Sequence, residues 1–241
     1  MTGGDSKTRF AGRVALVTGA SRGYGRAAAL ALAAEGAHVV ALASTRGGLT
    51  ELDDAVAAAG GRISLIQLDL ADAAKLDALG PALYERFGRI DALIAAAGIL
   101  GTLAPLTHTQ TKDWLGVFEV NAHANWRLIR TLDPLLKLSD AGRAVFLTCA
   151  AAREPLAYWG PYAASKAALE ALVRAYAAEC ANTPIRVNLI DPGPAATGLR
   201  ARAFPGEDQS RLPVPGHAAP ALLDLVSPAE TRNGELIRLA Q

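Results

Sequence analysis

Tyr162 and Lys166 are the two residues whose types and spacing most clearly predict a chemical activity. Both lie in the run from Gly160 to Cys180, which the sequence predicts to be helical, and residues four apart on a helix share one face. A free phenol has a pKa of about 10. A nearby ammonium group favours its ionised form, so the pair can exchange a proton near neutral pH. The spacing alone more often means a packed ring beside a solvated amine, so the hypothesis needs a second motif.

A glycine-rich turn, Gly19–Gly25, supplies that motif near the N-terminus. It follows a predicted strand at Arg13–Thr18 and precedes a predicted helix at Arg26–Glu35. Glycine lets the backbone approach a pyrophosphate closely, and the helix N-terminus attracts its negative charge. The spacing Gly-x-x-x-Gly-x-Gly differs from the usual G-x-G-x-x-G. A tight connection without any ligand is the alternative.

Together, Thr18-Gly-x-x-x-Gly-x-Gly25 and Tyr162-x-x-x-Lys166 resemble the short-chain dehydrogenase/reductase family in order and separation. The resemblance covers nearly the whole chain. Lesser features in register are Leu68-Asp69-Leu70, Ala95-Ala96-Ala97-Gly98, Asn121 and Asp191-Pro192-Gly193. The resemblance implies a Rossmann-type fold, hydride transfer between a nicotinamide dinucleotide and a carbonyl or secondary alcohol, and a homodimer or homotetramer built through helices around Thr111–Leu132 and Gly160–Cys180.

The same resemblance implies a role for each matched residue. Tyr162 would be the general acid toward a carbonyl or the base toward an alcohol, Lys166 would lower its pKa and hold the nicotinamide ribose, and Asn121 would anchor a water of the proton relay. Asp69 would accept a hydrogen bond from the adenine amine, although an Asp before a helix is also a common cap. The implied cofactor-binding residues are Gly19, Ser21, Arg22, Gly23, Tyr24, Gly25, Asp69, Leu70, Ala97, Gly98, Pro192, Gly193 and Thr197.

The fourth catalytic position departs from the family pattern. A serine is expected thirteen residues before the tyrosine, and that position holds Cys149. A thiol is a weaker donor than a hydroxyl, and losing one oxyanion donor costs roughly 10²–10³ in rate. Thr148 has a hydroxyl, but it should point to the opposite face of its strand unless the strand end is irregular. Tyr158 is a second candidate substitute. A packed, inert thiol is a better interpretation of Cys149 than a nucleophile.

Milder departures affect the cofactor region. Ala95-Ala96-Ala97 stands where the family usually has asparagine before Ala-Gly, and Tyr24 replaces a small aliphatic residue between two glycines. We expect the fold and cofactor binding to survive both changes. The Tyr24 backbone can still line the turn, and its ring is compatible with a simple surface position.

The residues after the second predicted strand indicate the cofactor. A carboxylate there usually holds the free 2′-hydroxyl of the adenosine ribose, but this chain has Ser44, Thr45 and Arg46, with Arg22 in the glycine turn. Hydroxyls and guanidinium groups suit a 2′-phosphate. We therefore predict NADP(H) over NAD(H), the alternative being that both arginines are merely solvated.

Alternating strands and helices must position these residues. Predicted strands are near Val14–Thr18, His38–Ala43, Arg62–Leu68, Ile90–Ala95, Ala144–Thr148, Arg186–Ile190 and Glu235–Leu239. Nearly continuous apolar strands between helices predict an α/β fold of the Rossmann type: a doubly wound, mostly parallel, seven-stranded sheet with helices on both faces. We expect a single domain over residues 1–241. Ligands of such sheets bind beyond the carboxyl ends of the strands, where all the motifs lie.

Composition excludes several other classes of protein. Apolar residues make up 51% of the 241 positions and charged residues 20%, which is a globular profile. A net charge of +1 predicts no nucleic-acid partner. The sequence offers neither a secretory signal nor a membrane span, and its Cys and His residues have no metal-site spacing, so we expect no metal and a cytoplasmic location.

Two segments are predicted to lie outside the regular structure. Residues 1–10 are expected to form a flexible tail, and Pro194–Pro220 a long irregular connection that closes over substrate as a lid. Within it, Phe204 should form an apolar wall with Trp159, and Arg200 or Arg202 should meet an acidic group. Solvated arginines on a helical turn are the alternative.

The sequence thus predicts an NADP(H)-dependent oxidoreductase with a small carbonyl or alcohol substrate. The main rival is a dinucleotide-binding sensor or scaffold with weak or lost catalysis, because Cys149 replaces serine. The joint presence of Tyr162, Lys166 and Asn121 argues against it, since binding alone needs fewer of these residues. A purely structural module would leave both main motifs unexplained.

Overall fold

Seven parallel strands form one sheet in the part of the chain that the computed structural model describes, residues 9–239. They are β1 (Val14–Thr18), β2 (His38–Ala43), β3 (Arg62–Gln67), β4 (Ala92–Ala95), β5 (Arg143–Leu147), β6 (Arg186–Asp191) and β7 (Leu236–Arg238). Their spatial order is β3-β2-β1-β4-β5-β6-β7. The chain therefore moves outward from β1 in one direction as far as β3 and then crosses to β4 on the other side. This reversal between β1 and β4 is where doubly wound sheets bind their ligands.

Eight α-helices connect and cover these strands within the described range. They are α1 (Gly23–Ala34), α2 (Arg46–Ala58), α3 (Ala73–Phe87), α4 (Thr111–Phe118), α5 (Ala124–Lys137), α6 (Gly160–Glu179), α7 (Gly198–Ala203) and α8 (Ala219–Leu225). Local chemistry explains their ends. Asp72 caps α3 by accepting from the Lys75 amide, and Gly88 ends it in the left-handed region at φ 75°. Pro161 occupies the first turn of α6, where a missing N–H costs nothing.

The two faces of the sheet bury separate apolar layers, as a doubly wound fold requires. Alternate residues of each strand face opposite ways, so Leu16 packs on one side of β1 while Ala15 and Val17 pack on the other. Helices α3, α5 and α6 cover the first face, and α1, α2 and α8 cover the second. The predicted fold class is confirmed, and every strand pairing described is parallel.

The strand bounds differ slightly from prediction. β4 begins at Ala92 and not at Ile90, although the Asp91 amide still donates to the Val14 carbonyl and its carbonyl accepts from the Arg143 amide. The first two strands have the predicted bounds.

Two predictions about irregular segments need correction. Most of the predicted 1–10 tail lies outside the described residues, but its last two residues are held in place: Arg9 pairs with Asp224 at 2.6 Å, and Phe10 is fully buried. The 194–220 connection is also more regular than predicted. It contains α7 and two short 3₁₀ turns, and Thr197 caps α7 by accepting from the Arg200 amide.

Within residues 9–239 no helix combines the length and apolar character that crossing a bilayer would require.

Candidate functional site

A cavity of about 520 Å³ opens at the carboxyl ends of the central strands, where the strand order reverses. Its size is typical of sites for small molecules and cofactors. It runs past the glycine turn, the ends of β2 and β3, the ends of β4 and β5, and the start of α6. Predicted site residues that line it are Gly19, Ser21, Arg22, Gly23, Tyr24, Gly25, Ser44, Asp69, Leu70, Ala97, Gly98, Cys149, Tyr162, Lys166, Pro192, Gly193 and Thr197. The structure thus gathers residues from most of the chain into one site, whereas Thr45, Arg46 and Asn121 do not line it.

The glycine turn has the geometry of a close backbone approach. Gly19 has φ 66°, and a Cβ there would lie 2.9 Å from the Ala97 Cα. A Cβ on Gly25 would lie 2.4 Å from the Gly19 carbonyl oxygen. Neither position can accept a side chain unless the backbone moves. The turn leads directly into α1, whose first amides have no side-chain cap, and such a helix start fits an anionic group.

We expect Gly19→Ala to weaken dinucleotide binding by at least about tenfold and to destabilise the fold by about 1–3 kcal/mol. The added methyl clashes with backbone, and alanine is strained at positive φ. Isothermal titration and thermal unfolding measure the two effects. Gly47→Ala is the matched control, since a Cβ there meets nothing within 4 Å. An unchanged affinity in Gly19→Ala would contradict the assignment of this turn to the cofactor.

Tyr162, Lys166 and Cys149 meet at the inner end of the cavity. Tyr162 is 6% exposed, and the Cys149 thiol donates to its hydroxyl oxygen across 3.7 Å. The Lys166 ammonium lies 5.9 Å from the centre of the Tyr162 ring and donates to the Leu147 carbonyl at 2.9 Å. The thiol therefore lies at hydrogen-bonding distance from the phenol, and Lys166 is held close beside the ring.

Burial is the main influence on the pKa values of Tyr162 and Lys166. Removal from solvent raises the pKa of Tyr162 well above its ordinary value, and the adjacent Cys149 is a lesser cause of the same shift. Loss of water also lowers the pKa of Lys166, partly offset by Cys149, Glu170 and Asp191. Lys166 is not among the causes of the Tyr162 shift, so its lowering of the phenol pKa stays a prediction. A phenol with a raised pKa remains protonated at neutral pH and is a weaker acid than a free phenol.

Asn121 supports the site from behind. It lies in a single π-helical turn, Glu119–His123, between α4 and α5, and it is fully buried. Its amide accepts from the Ile99 amide and donates to the Ile99 carbonyl, both at 2.9 Å, and it also contacts the Ser165 hydroxyl. The side chain thus fixes the loop after β4 against α6. Local π-helix is a frequent feature of functional sites.

A charge network centred on the buried Glu170, beside Tyr162 and Lys166, was not predicted. Arg153 bridges Glu170 and Asp191, and Glu170 also accepts from the Thr148 hydroxyl and from Arg174. Glu170 follows Lys166 by one helical turn, and this spacing was the available signal. Thr148 lines the cavity, but its hydroxyl donates to Glu170, so it is not a free donor to replace the missing serine. The network ties the end of β5 and the end of β6 to α6.

The other predicted substitute for serine is also excluded. Tyr158 is 60% exposed, does not line the cavity and has a left-handed backbone, φ 74°. Its carbonyl accepts from the Ala104 amide, which fixes the loop but leaves the ring in solvent. Cys149 is thus the remaining candidate donor beside Tyr162.

The end of the cavity beside β2 and β3 is polar. Ser44 lines it and is exposed, while Thr45 is the N-cap residue of α2 without a side-chain cap bond. Asp69 accepts from the Ala71 amide at 3.0 Å, but the cap of α3 is Asp72, so the alternative role of Asp69 as a helix cap is not observed. Arg22 lines the cavity, whereas Arg46 begins α2 outside the lining.

Phe204 and Trp159 both line the cavity, with ring centroids 5.6 Å apart, and so form the predicted apolar wall. Arg200 pairs with Glu207 at 2.6 Å and lies over the Phe204 ring. The acidic group that it meets therefore belongs to this chain. Arg202 is exposed on α7.

The missing family asparagine before Ala97 has a partial replacement. The Thr18 hydroxyl accepts from the Ala97 amide at 3.2 Å, which ties the end of β1 to the loop after β4. Gly98 lies in the same loop and packs closely against the Asn121 side chain, because a Cβ on Gly98 would be 3.3 Å from the Asn121 Oδ1. The loop after β4 is therefore held without the amide.

Fold and site together define a Rossmann-type oxidoreductase. The family model for short chain dehydrogenases matches residues 13–208, and the chain belongs to this family. It is 36% identical over 217 residues to the oxidoreductase YciK of Escherichia coli (strain K12), covering 89% of this chain and 86% of that protein.

Two further relatives differ in the cofactor that their names mention. An NAD-dependent oxidoreductase of Mycobacterium tuberculosis (strain CDC 1551 / Oshkosh) is 39% identical over 195 residues, covering 75% of this chain and 70% of that protein. The crystal structure of a short chain dehydrogenase from Shigella flexneri 2a complexed with NADP has a TM-score of 0.92 at 33% identity, covering 96% of this chain and 98% of that one.

Proposed function

We propose that this oxidoreductase reduces a small carbonyl compound with NADPH, with Tyr162 as the general acid. The observation that carries the proposal is a single cavity with the glycine turn at one end and Tyr162, Cys149 and Lys166 at the other. The close backbone approach at the glycine turn suits the phosphates of a dinucleotide, and the polar end beyond it suits the adenosine. The proton donor at the other end suits a carbonyl substrate. When bound, the nicotinamide supplies the hydride.

Reduction is the proposed direction because Tyr162 is placed where it can supply the proton that a carbonyl oxygen needs. A buried Tyr162 with a raised pKa holds its proton, and a carbonyl oxygen beside it can accept that proton as hydride reaches the carbon. The Cys149 thiol offers a second, weaker donor to the same oxygen. Lys166 places a positive charge beside the ring, which stabilises the phenolate left after proton transfer. The product is an alcohol.

The preference for NADP(H) over NAD(H) is proposed from charge. No carboxylate follows β2 at the position of Ser44, and Arg22 faces the cavity close to the start of α1. The NADP complex of the Shigella relative supports this choice, and the NAD-dependent name of the Mycobacterium relative opposes it. The absence of a carboxylate at Ser44 and the presence of Arg22 support the phosphorylated cofactor.

A dinucleotide-binding sensor with little turnover is the second candidate. The specific observation in its favour is the long 3.7 Å contact between Cys149 and Tyr162, since a thiol is a poor substitute for a hydroxyl donor. The intact arrangement of Tyr162, Lys166 and Asn121 favours the enzyme.

Fluorescence titration with NADPH and NADH, followed by absorbance assays against aldehydes, ketones and quinones, tests the proposal. We expect tighter binding of NADPH and oxidation of NADPH by at least one class of carbonyl. Ser44→Asp should reverse the preference by repelling the 2′-phosphate, and Ser44→Asn, equal in size but neutral, is its control. Binding without any turnover would favour the sensor, and no binding of either dinucleotide would overturn both functions.

We also propose self-association through the surfaces of α4 and α5, where Trp114, Leu115 and Trp126 are partly exposed. Sedimentation velocity tests it, with a monomer as the contradicting result. Both cysteines are free of disulfide bonds, which fits the proposed cytoplasmic location.

A further inference from the structure

Tyr24 connects the two ends of the cavity. It lies in the glycine turn, yet its hydroxyl donates to the Gly193 carbonyl at 2.9 Å, on the opposite wall. Burial raises the pKa of Tyr24, so the hydroxyl keeps the proton that it donates. The ring also packs edge-on against His217, with centroids 5.9 Å apart. The Tyr24 ring, for which the sequence allowed a simple surface position, therefore connects the glycine turn to the Pro192-Gly193 turn.

His217 contacts the same wall from the far side of the Tyr24 ring. Its Nε2 lies 3.0 Å from the Pro192 carbonyl oxygen, and its Nδ1 lies 2.9 Å from the Val214 carbonyl oxygen. The ring thus connects the turn after β6 with the end of the 194–220 connection. Tyr24 and His217 together join three separate segments of the chain around one point.

Side chains lie within hydrogen-bonding distance of every polar backbone group of the Pro192-Gly193 turn. His217 contacts the Pro192 carbonyl, the Asp191 carboxylate accepts from the Gly193 amide at 3.2 Å, and Tyr24 donates to the Gly193 carbonyl. Proline has no N–H of its own. Gly193 is in the left-handed region, φ 75°, and neither residue belongs to a strand or helix. The shape of this cavity wall therefore depends on three side chains and not on regular structure.

We propose that Tyr24 and His217 are positioning residues that pre-form the nicotinamide wall of the cavity and couple it to the phosphate turn. The inference rests on the proposed function, because it assigns the Pro192-Gly193 turn to the nicotinamide half of the bound dinucleotide. Without the pair, the turn must be ordered when the cofactor binds, and that ordering reduces affinity. The adenosine half contacts the other end of the cavity and is not affected.

The test compares a complete dinucleotide with a fragment that lacks nicotinamide. We expect Tyr24→Phe to weaken NADPH binding about three- to tenfold, the size of one hydrogen bond, and to leave the affinity for adenosine 2′,5′-bisphosphate within about twofold. His217→Phe keeps a ring against Tyr24 but loses the contact with Pro192, and it should give the same pattern. Since both residues hold one dipeptide, their effects should not add in the double variant.

Controls separate this role from a general structural one. Tyr84→Phe makes the same chemical change at an exposed tyrosine of α3 outside the cavity and should change neither affinity. Hydrogen exchange of the free protein gives a readout without ligand: the Gly193 amide should exchange faster in Tyr24→Phe, while amides of the central strands should not.

Three results separate the inference from the proposed function. Equal loss of NADPH and fragment affinity in Tyr24→Phe, or no loss of either, would overturn the positioning role while the wild-type affinity still supports the reductase. Unchanged exchange at Gly193 would also overturn it. Failure of the wild-type protein to bind any dinucleotide would overturn both.

Discussion

Tyr162→Phe is expected to lower carbonyl reduction by about 10²–10⁴-fold and to leave NADPH affinity within about threefold. A positioned general acid contributes rate enhancement of this order, and phenylalanine keeps the ring while removing the only hydroxyl that faces Cys149. The hydroxyl makes no hydrogen bond within the described structure other than that contact, so its loss should disturb the fold little. Single-turnover absorbance measurements at saturating NADPH separate the chemical step from binding.

Tyr176→Phe is the matched control for this prediction. Tyr176 lies on the same helix, α6, is similarly buried, and donates its hydroxyl to Asp133 outside the cavity. Its loss should reduce stability by about 1 kcal/mol and leave turnover unchanged. If Tyr162→Phe retains more than about a tenth of wild-type turnover, Tyr162 is not the general acid.

Patterns within single elements explain what the sequence predicted well. The apolar run at β1 and the alternation of strands with helices determined the sheet, because buried parallel strands have few alternatives. The glycines of the turn and the spacing of Tyr162 and Lys166 placed both ends of the cavity, since local spacing survives folding. Ligands of doubly wound sheets bind beyond the carboxyl ends of the strands, and this general property predicted that the distant motifs would meet in one site.

Features that depend on contacts between distant segments were missed. Arg153 with Glu170, and Tyr24 with Gly193, join positions whose pairing leaves no local pattern. Burial also depends on contacts between distant segments, and it raises the pKa of Tyr162. The 194–220 segment was predicted to be irregular from its prolines, but Thr197 provides a helix cap and proline is tolerated at helix starts.

Cys149→Ser is expected to raise the rate of carbonyl reduction by about tenfold to a few hundredfold. One preorganised donor to a developing oxyanion is worth roughly 10²–10³ in rate, and the thiol supplies only part of this. A hydroxyl is a stronger and shorter-range donor than a thiol. The change should appear in kcat, because the interaction strengthens only as charge develops on the carbonyl oxygen.

Cys149→Ala isolates the contribution of the thiol itself. If the thiol donates in the transition state, the alanine variant should be slower than wild type, and the order of rates should be Ser, Cys, Ala. Equal rates for Cys and Ala would show that the thiol is inert, which still leaves room for the serine to act. A serine variant no faster than wild type would contradict the donor-deficient interpretation, because the substrate oxygen must then be held by other groups.

The same comparison decides between the enzyme and the sensor. The structure keeps Tyr162, Lys166 and Asn121 in one connected arrangement, so a single improved donor should be enough to restore turnover if Cys149 is what limits it. The wild-type protein would be a sensor if it binds NADPH without turnover while its Cys149→Ser variant reduces carbonyls. In that case the remaining predicted catalytic residues would still be functional. Turnover by the wild type that serine merely accelerates would instead show an enzyme in which the thiol sets the rate.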